Sequence, residues 1–198
     1  MTVFSNLNDY IGSLETVPSE LYRKESLPQT ESYYASVERL TASKKLHPYI
    51  RRGYVKKIFR ELAACGFIHE CKLRFGWFTR ERAYMKDTGL AAFSMHYLGM
   101  KDGGYLARLV LHEVAHLNLS KDEGYPALLA LDREFLSLHR GKEAKAVSPV
   151  ELYATHLSIA LMRDAAERLP AVRDALLAEC ATEEKKLSEY VSLFKAQA

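Results

Sequence analysis

The stretch "RLVLHEVAHLNLS" (residues 108–120) constrains this chain more than any other. Wound into a helix, Leu109, Val110, Leu111, Val114, Ala115 and Leu117 cover nearly every side, so the helix belongs in a core. His112, Glu113 and His116 go into that core with it. At positions i and i+4 the two histidines share one face, one turn apart. Polar groups in such a helix cost free energy unless something satisfies them, and a metal ion held by both imidazoles would. Glu113 falls beside the pair rather than between the ligands, where a carboxylate can take a proton from water. The plain alternative, polar residues on an amphipathic helix, fits poorly with a helix that is apolar all round.

Composition narrows the setting. The chain of 198 residues is 48% hydrophobic and 27% charged, ordinary for one globular domain with or without a helical appendage. No apolar run of transmembrane length occurs, and "MTVFSNLNDYIGSLE" carries neither a basic leader nor a long apolar segment. Cys65, Cys71 and Cys180 form an odd set with no paired framework. Together these lead us to expect a cytoplasmic protein. The net charge of +3 is too small to imply a partner.

Residues 1–30 read as a short helix and then irregular chain, and "SYYASVERLTASKK" (32–45) as a helix ended by Pro48. A stronger helix spans about 51–64, with Tyr54, Val55, Ile58, Phe59 and Leu62 as its apolar stripe and Gly66 as its C-terminal cap. The period then changes. "IHECKLRFGWF" (68–78), "RAYMK" (82–86) and "GLAAFSMHYL" (89–98) alternate as strands, the last with Phe93, Met95 and Tyr97 on one face and Ser94 and His96 on the other. The motif helix follows from about Tyr105 to Leu119. Further helices are expected near 125–139, 149–168 and 171–195, with Pro126, Pro149 and Pro170 near their starts. The expected class is α+β: a small, mainly antiparallel sheet of about three strands, a buried motif helix and a helical C-terminal half. The expected divisions are an N-terminal helical segment (1–48), a central domain (49–168) and a C-terminal amphipathic helix (169–198).

A strand followed by "LVLHEVAHL" on a buried helix resembles the zincin metallopeptidases, and among them the small SprT-like and minigluzincin-type domains. The resemblance covers roughly residues 50–165, and its specific part is the motif helix. It implies a zincin-like fold and zinc held by His112 and His116. It also implies peptide-bond hydrolysis by a zinc-activated water, with Glu113 as general base. In these families the last strand before the motif helix is an edge strand that binds extended peptide; here that would be residues 90–97.

Catalytic zinc sites usually have a third protein ligand. The favoured candidate is Glu151 in "SPVELYATHLSIALM", where Glu151, Ala154 and Leu157 match the E-x-x-A-x-x-[FL] context of gluzincin-like families. On that helix Leu152, Ile159 and Met162 face the core, while Glu151, Thr155 and Ser158 share a more polar face. Asp122 stands where metzincins carry their third ligand, but Leu119 replaces the glycine of their sharp turn. Glu123, in "EGYPALL", stands where phage and SprT-like relatives show a histidine. His139 and His156 stay open as well. An ordinary reading of Glu151 is a first-turn acid favoured by the helix dipole. Tyr125 and Tyr153 are candidates to stabilise an oxyanion.

Between Arg39 and Arg60 stand eight basic residues, Arg39, Lys44, Lys45, Arg51, Arg52, Lys56, Lys57 and Arg60, with Tyr49 and Tyr54 interleaved and no acidic residue. Such a segment can bind nucleic acid, and SprT-like proteins are associated with DNA; a solvated helix face is the preferred reading, because the chain as a whole is barely basic. Cys65, His69 and Cys71 lack a clear fourth ligand and read as buried, inert cysteines. The C-terminal helix could pack on the domain or pair with another chain. The functional expectation is a zinc-dependent metallopeptidase acting on protein or peptide. The alternative is a nucleic-acid-associated or catalytically silent interaction protein.

Overall fold

The computed structural model describes residues 6–14, 27–43, 46–78, 83–86 and 89–197. Its helices are α1 (Leu7–Ser13), α2 (Glu31–Thr41) and α3 (Pro48–Ala64), then α4 (Met95–Met100) and α5 (Gly103–Leu119). The C-terminal half holds α6 (Tyr125–Leu138), α7 (Lys142–Ala146), α8 (Pro149–Arg168) and α9 (Arg173–Gln197). Strands β1 (Lys72–Gly76), β2 (Ala83–Lys86) and β3 (Leu90–Ser94) make a small sheet between α3 and α4. The class is α+β, as expected, with helix dominant. The irregular chain expected over 15–26, and Lys44, Lys45 and Arg82, lie outside the described residues.

The helix boundaries follow local chemistry. Pro48, Pro126 and Pro149 sit in the first turns of α3, α6 and α8, where a missing N–H costs nothing. After α3 the chain closes with Gly66 at φ 73°. Its N–H bonds to Ala63 O at 2.9 Å and that of Phe67 to Leu62 O at 2.9 Å, the two bonds of a Schellman cap. At the other end of the fold, α5 starts hard against the end of α2. A Cβ on Gly103 would lie 2.1 Å from the carbonyl oxygen of Thr41, so only glycine permits that approach.

The sheet differs from expectation in two ways. Its order is β1-β3-β2, with β1 parallel and β2 antiparallel to β3, so it is mixed rather than mainly antiparallel. β3 is therefore the central strand, not an edge, and extended peptide cannot add to it. Ala91, Ala92 and Phe93 are all fully buried, as a strand covered on both faces requires. The expected strand over 89–98 also ends early. The Ser94 hydroxyl accepts the Tyr97 N–H at 3.4 Å, capping α4, and Met95 and Tyr97 enter a helix instead of continuing the alternation.

α5 lies at the centre of the protein, against α2, α8 and α9. Leu106, Val110, Leu111, Val114 and Leu117 are fully buried, each contributing about 1.5–3 kcal/mol on removal from water. α9 packs along α8 and α5 within the same chain. Its Leu176 and Cys180 join the main core, while Val191 and Phe194 join a second cluster with Tyr10, Leu14 and Phe135. Among the described residues no helix is long and apolar enough to cross a membrane.

Candidate metal centre

α5 and α8 pack side by side, and their polar interruptions meet. His112 Nε2 lies 3.2 Å from His116 Nε2 and 3.3 Å from Glu151 Oε2; His116 Nε2 lies 3.8 Å from the same oxygen. The two imidazole rings stand nearly perpendicular, at 88°, with both Nε2 atoms turned to one point. Among the described residues this is the group of His, Cys, Asp and Glu side chains arranged to hold a metal ion.

Hydrogen bonds among the three side chains alone leave the triangle incomplete. One hydrogen on His112 Nε2 can be shared between Glu151 and His116 at best, leaving lone pairs on the other two atoms facing each other. A cation accepts all three lone pairs at once. Ligand atoms ~2.0–2.1 Å from a tetrahedral ion lie ~3.3 Å from each other; two of the three separations match this, and the His116–Glu151 distance of 3.8 Å is about half an ångström longer. A His-His-Glu donor set with a fourth position left over is that of an open site for a borderline divalent cation.

The position of Glu151 depends on where α8 begins. The helix starts at Pro149, and its N-cap, Ser148, makes no side-chain capping bond. The cap comes from α6 instead: the buried carboxylate of Asp132 accepts the Val150 N–H at 2.9 Å. The first turn is thereby fixed one residue before the ligand. Leu152, Ile159 and Met162 are buried as expected, and Glu151 and Thr155 face a common cleft. Ser158 is buried, with its hydroxyl on Thr155 O.

Charge reinforces the geometry. Burial alone would lower the His112 pKa, but hydrogen bonding to Glu151 and its charge outweigh burial and raise it. Burial would raise Glu151, yet the bond from His112 and the charges of both histidines bring it down to about 2. Burial, then the neighbouring His112, lowers His116 to about 4. Glu113 makes none of these contacts. It is 5% exposed, and burial pushes its carboxyl up to about 7, suited to giving and taking protons near neutrality.

The other ligand candidates are placed elsewhere. Asp122 turns onto its own loop and accepts the Gly124 N–H at 2.8 Å. Leu119 stays helical, and the chain passes through short turns into α6 without doubling back. Glu123 is exposed. His139 lies 4.9 Å from the Phe135 ring and 5.0 Å from that of Phe194, by ring centroids. His156 is half-buried outside the triad.

A cleft of about 220 Å³ opens beside His112 and Glu151. Neither Tyr125 nor Tyr153 lines it, and Tyr153 is buried in the core. Its far wall is α9, through Glu183, Lys186, Leu187 and Tyr190. The sequence reading missed these residues and Arg108. A signal was present: Leu176, Cys180, Leu187 and Phe194 follow the inward stripe of α9, and Glu183 occupies an apolar position in it. Arg108 explains that charge, donating to Glu179 at 2.8 Å and meeting Glu183 at 2.7 Å.

The basic segment contains one clear correction. Arg51 is fully buried and donates to Leu98 O at 2.7 Å, to Lys101 O at 2.6 Å and to both Ser43 oxygens. It is structural rather than available to a partner. Arg52 and Lys56 lie over the Phe75 ring at 5.1 and 6.0 Å. Cys65 is exposed and Cys71 half-buried, so neither is buried as expected, while Cys180 on α9 is buried. Cys65, His69 and Cys71 form no metal group.

No family model, no curated protein and no solved structure matches the chain.

Proposed function

We propose that the protein is a zinc-dependent hydrolase of amide bonds, a zincin-like metallopeptidase. The observation that carries this reading is the convergence of His112, His116 and Glu151 beside a buried glutamate. His112 and His116 would hold zinc through Nε2, and Glu151 through Oε2. Bound zinc supplies a Lewis acid that polarises a carbonyl and makes water acidic near neutral pH. Glu113 is the general base: its carboxylate takes a proton from the attacking water and returns it to the leaving nitrogen. Arg108, with Glu179 and Glu183, fixes the wall facing the site.

The zincin resemblance supports the motif helix and the third ligand, while the central position of β3 departs from that pattern. A nucleic-acid role for residues 39–60 draws on fewer cations once Arg51 is removed. The test is metal analysis of purified protein with a fluorogenic peptide panel. One zinc per chain is expected, with cleavage that Glu113→Gln abolishes while zinc stays bound. Wild-type protein that takes up no zinc on reconstitution overturns the reading. Bound zinc with Glu113→Gln cleaving at the wild-type rate removes Glu113 from the role of base.

A further inference from the structure

The walls of the cleft indicate what can reach the metal. They come from helices: Leu109 and His112 on α5, Glu151 and Thr155 on α8, Leu187 and Tyr190 on α9. Among the described residues no strand residue lines it. At about 220 Å³ it is smaller than the ~300–1,000 Å³ typical of ligand clefts. An extended chain thus has no sheet edge to pair with here, and α9 stands across one side of a small cleft.

The far wall is also fixed. α9 is anchored in the core on both sides of the cleft, by Leu176 and Cys180 before it and by Val191 and Phe194 after it. Between these anchors Arg108 grips Glu179 and Glu183, all three side chains less than a fifth exposed. Such a wall acts as a stop rather than a lid.

One lysine lines this open cleft and two more stand on the neighbouring α7. Lys186 lines the cleft from α9, its side chain 44% exposed and its ammonium 3.1 Å from the Glu183 carboxylate, which Arg108 also meets. Lys145 is exposed on α7, one residue before the lining residue Ala146. Lys142, also on α7, lies 5.4 Å from the Tyr190 ring centroid.

We propose that the cleft receives the C-terminal residue of a peptide, or a small N-acyl amino acid, its free carboxylate meeting Lys145 and Lys186, and that α9 excludes chains running through. This rests on the hydrolase reading above and names its substrate class. The amide C–N bond breaks; water gives its hydroxyl to the acyl carbon and a proton to the nitrogen, leaving a carboxylic acid and a free amino acid.

Three phosphinates titrated calorimetrically into the zinc-loaded full chain test it: dimethylphosphinate, its carboxyethyl analogue, and a phosphinic tetrapeptide amide with residues on both sides. The carboxylate probe should bind at least tenfold tighter than either other one, and the K145A/K186A double variant should erase its advantage over dimethylphosphinate. Tighter binding of the tetrapeptide amide overturns the inference, as does equal binding of the two small probes. Zinc uptake with no phosphinate binding overturns it while sparing the metal site. Absence of zinc uptake overturns the metal reading itself, and the substrate class with it.

Discussion

Replacing Glu151 by glutamine separates a metal site from an ordinary ion pair. In the metal-free protein Glu151 meets His112 at 3.3 Å with its side chain 31% exposed, so the exchange should cost about 1 kcal/mol or less. With zinc the cost is different. Structural zinc sites with four ligands bind with ~10–16 kcal/mol, so one ligand accounts for ~3 kcal/mol and its loss for ~100-fold in affinity. Zinc at about 1,000 times the wild-type Kd stabilises by ~4.1 kcal/mol; with Kd raised ~100-fold, the same zinc stabilises by ~1.4 kcal/mol. The difference of ~2.7 kcal/mol corresponds to roughly 5–11 °C in a chain of this size. Melting curves with zinc and with chelator, on wild type and Glu151→Gln, measure it. Chelated samples should melt close together, and the zinc-induced rise should shrink by that amount in the variant. Equal zinc-induced shifts would refute Glu151 as a ligand. A large deficit in chelator, with no zinc effect in either protein, would make the triangle a structural ion pair.

Asp132→Ala should cost ~1–2 kcal/mol for the lost cap and weaken zinc ~10–100-fold through displacement of Glu151; Asp132→Asn, which keeps an acceptor for Val150, should stay near wild type in both melting and zinc titration. Arg51→Ala leaves the buried carbonyls of Ser43, Leu98 and Lys101 without their donor and should cost at least ~3 kcal/mol in denaturant unfolding, whereas Arg52→Ala, on the same helix but only half-buried, should cost under ~1 kcal/mol. In the metal-free protein, Glu113 raised to about 7 loses stability as pH rises from its unfolded value near 4.5 through 7, and His116 lowered to about 4 loses stability as pH falls from 6.5 through 4. These slopes oppose each other between pH 4.5 and 6.5, so Glu113→Gln should expose the His116 slope and make chelated protein more acid-sensitive there; an unchanged pH–stability curve would refute the assignment.

Much of the site was legible because it depends on local spacing. Two histidines four apart must share a helix face, and Pro149 fixed the start of α8 closely enough to place Glu151 on the side of Thr155. Strand order was not legible. The central position of β3 is set by pairing with β1, residues away in sequence and parallel to it, and nothing within 89–98 encodes which strand lies on either side. The early end of that strand did leave a mark, since Ser94 stands where an N-cap would. The alternation through Tyr97 masked it.

Arg51, Glu183 and the two histidines share one feature that the sequence displays without explaining. Each is a polar residue on a stripe otherwise apolar: Arg51 precedes Val55, Ile58 and Leu62 at the spacing of their common face, and Glu183 follows Leu176 and Cys180 at theirs. A charge in such a position needs a partner inside the protein, but the sequence does not say which. For Arg51 the partners are backbone carbonyls at the ends of α2 and α4, and the residue is structural. For Glu183 the partner is Arg108, and the pair fixes a wall. For His112 the partners are the Glu151 carboxylate at 3.3 Å and His116 at 3.2 Å, and for His116 the nearest partner is His112, with the carboxylate oxygen at 3.8 Å, too long for a hydrogen bond. That deficit distinguishes the three cases: a polar group in a core stripe is structural where protein atoms complete its bonding, and points to a ligand where they leave lone pairs converging on one point.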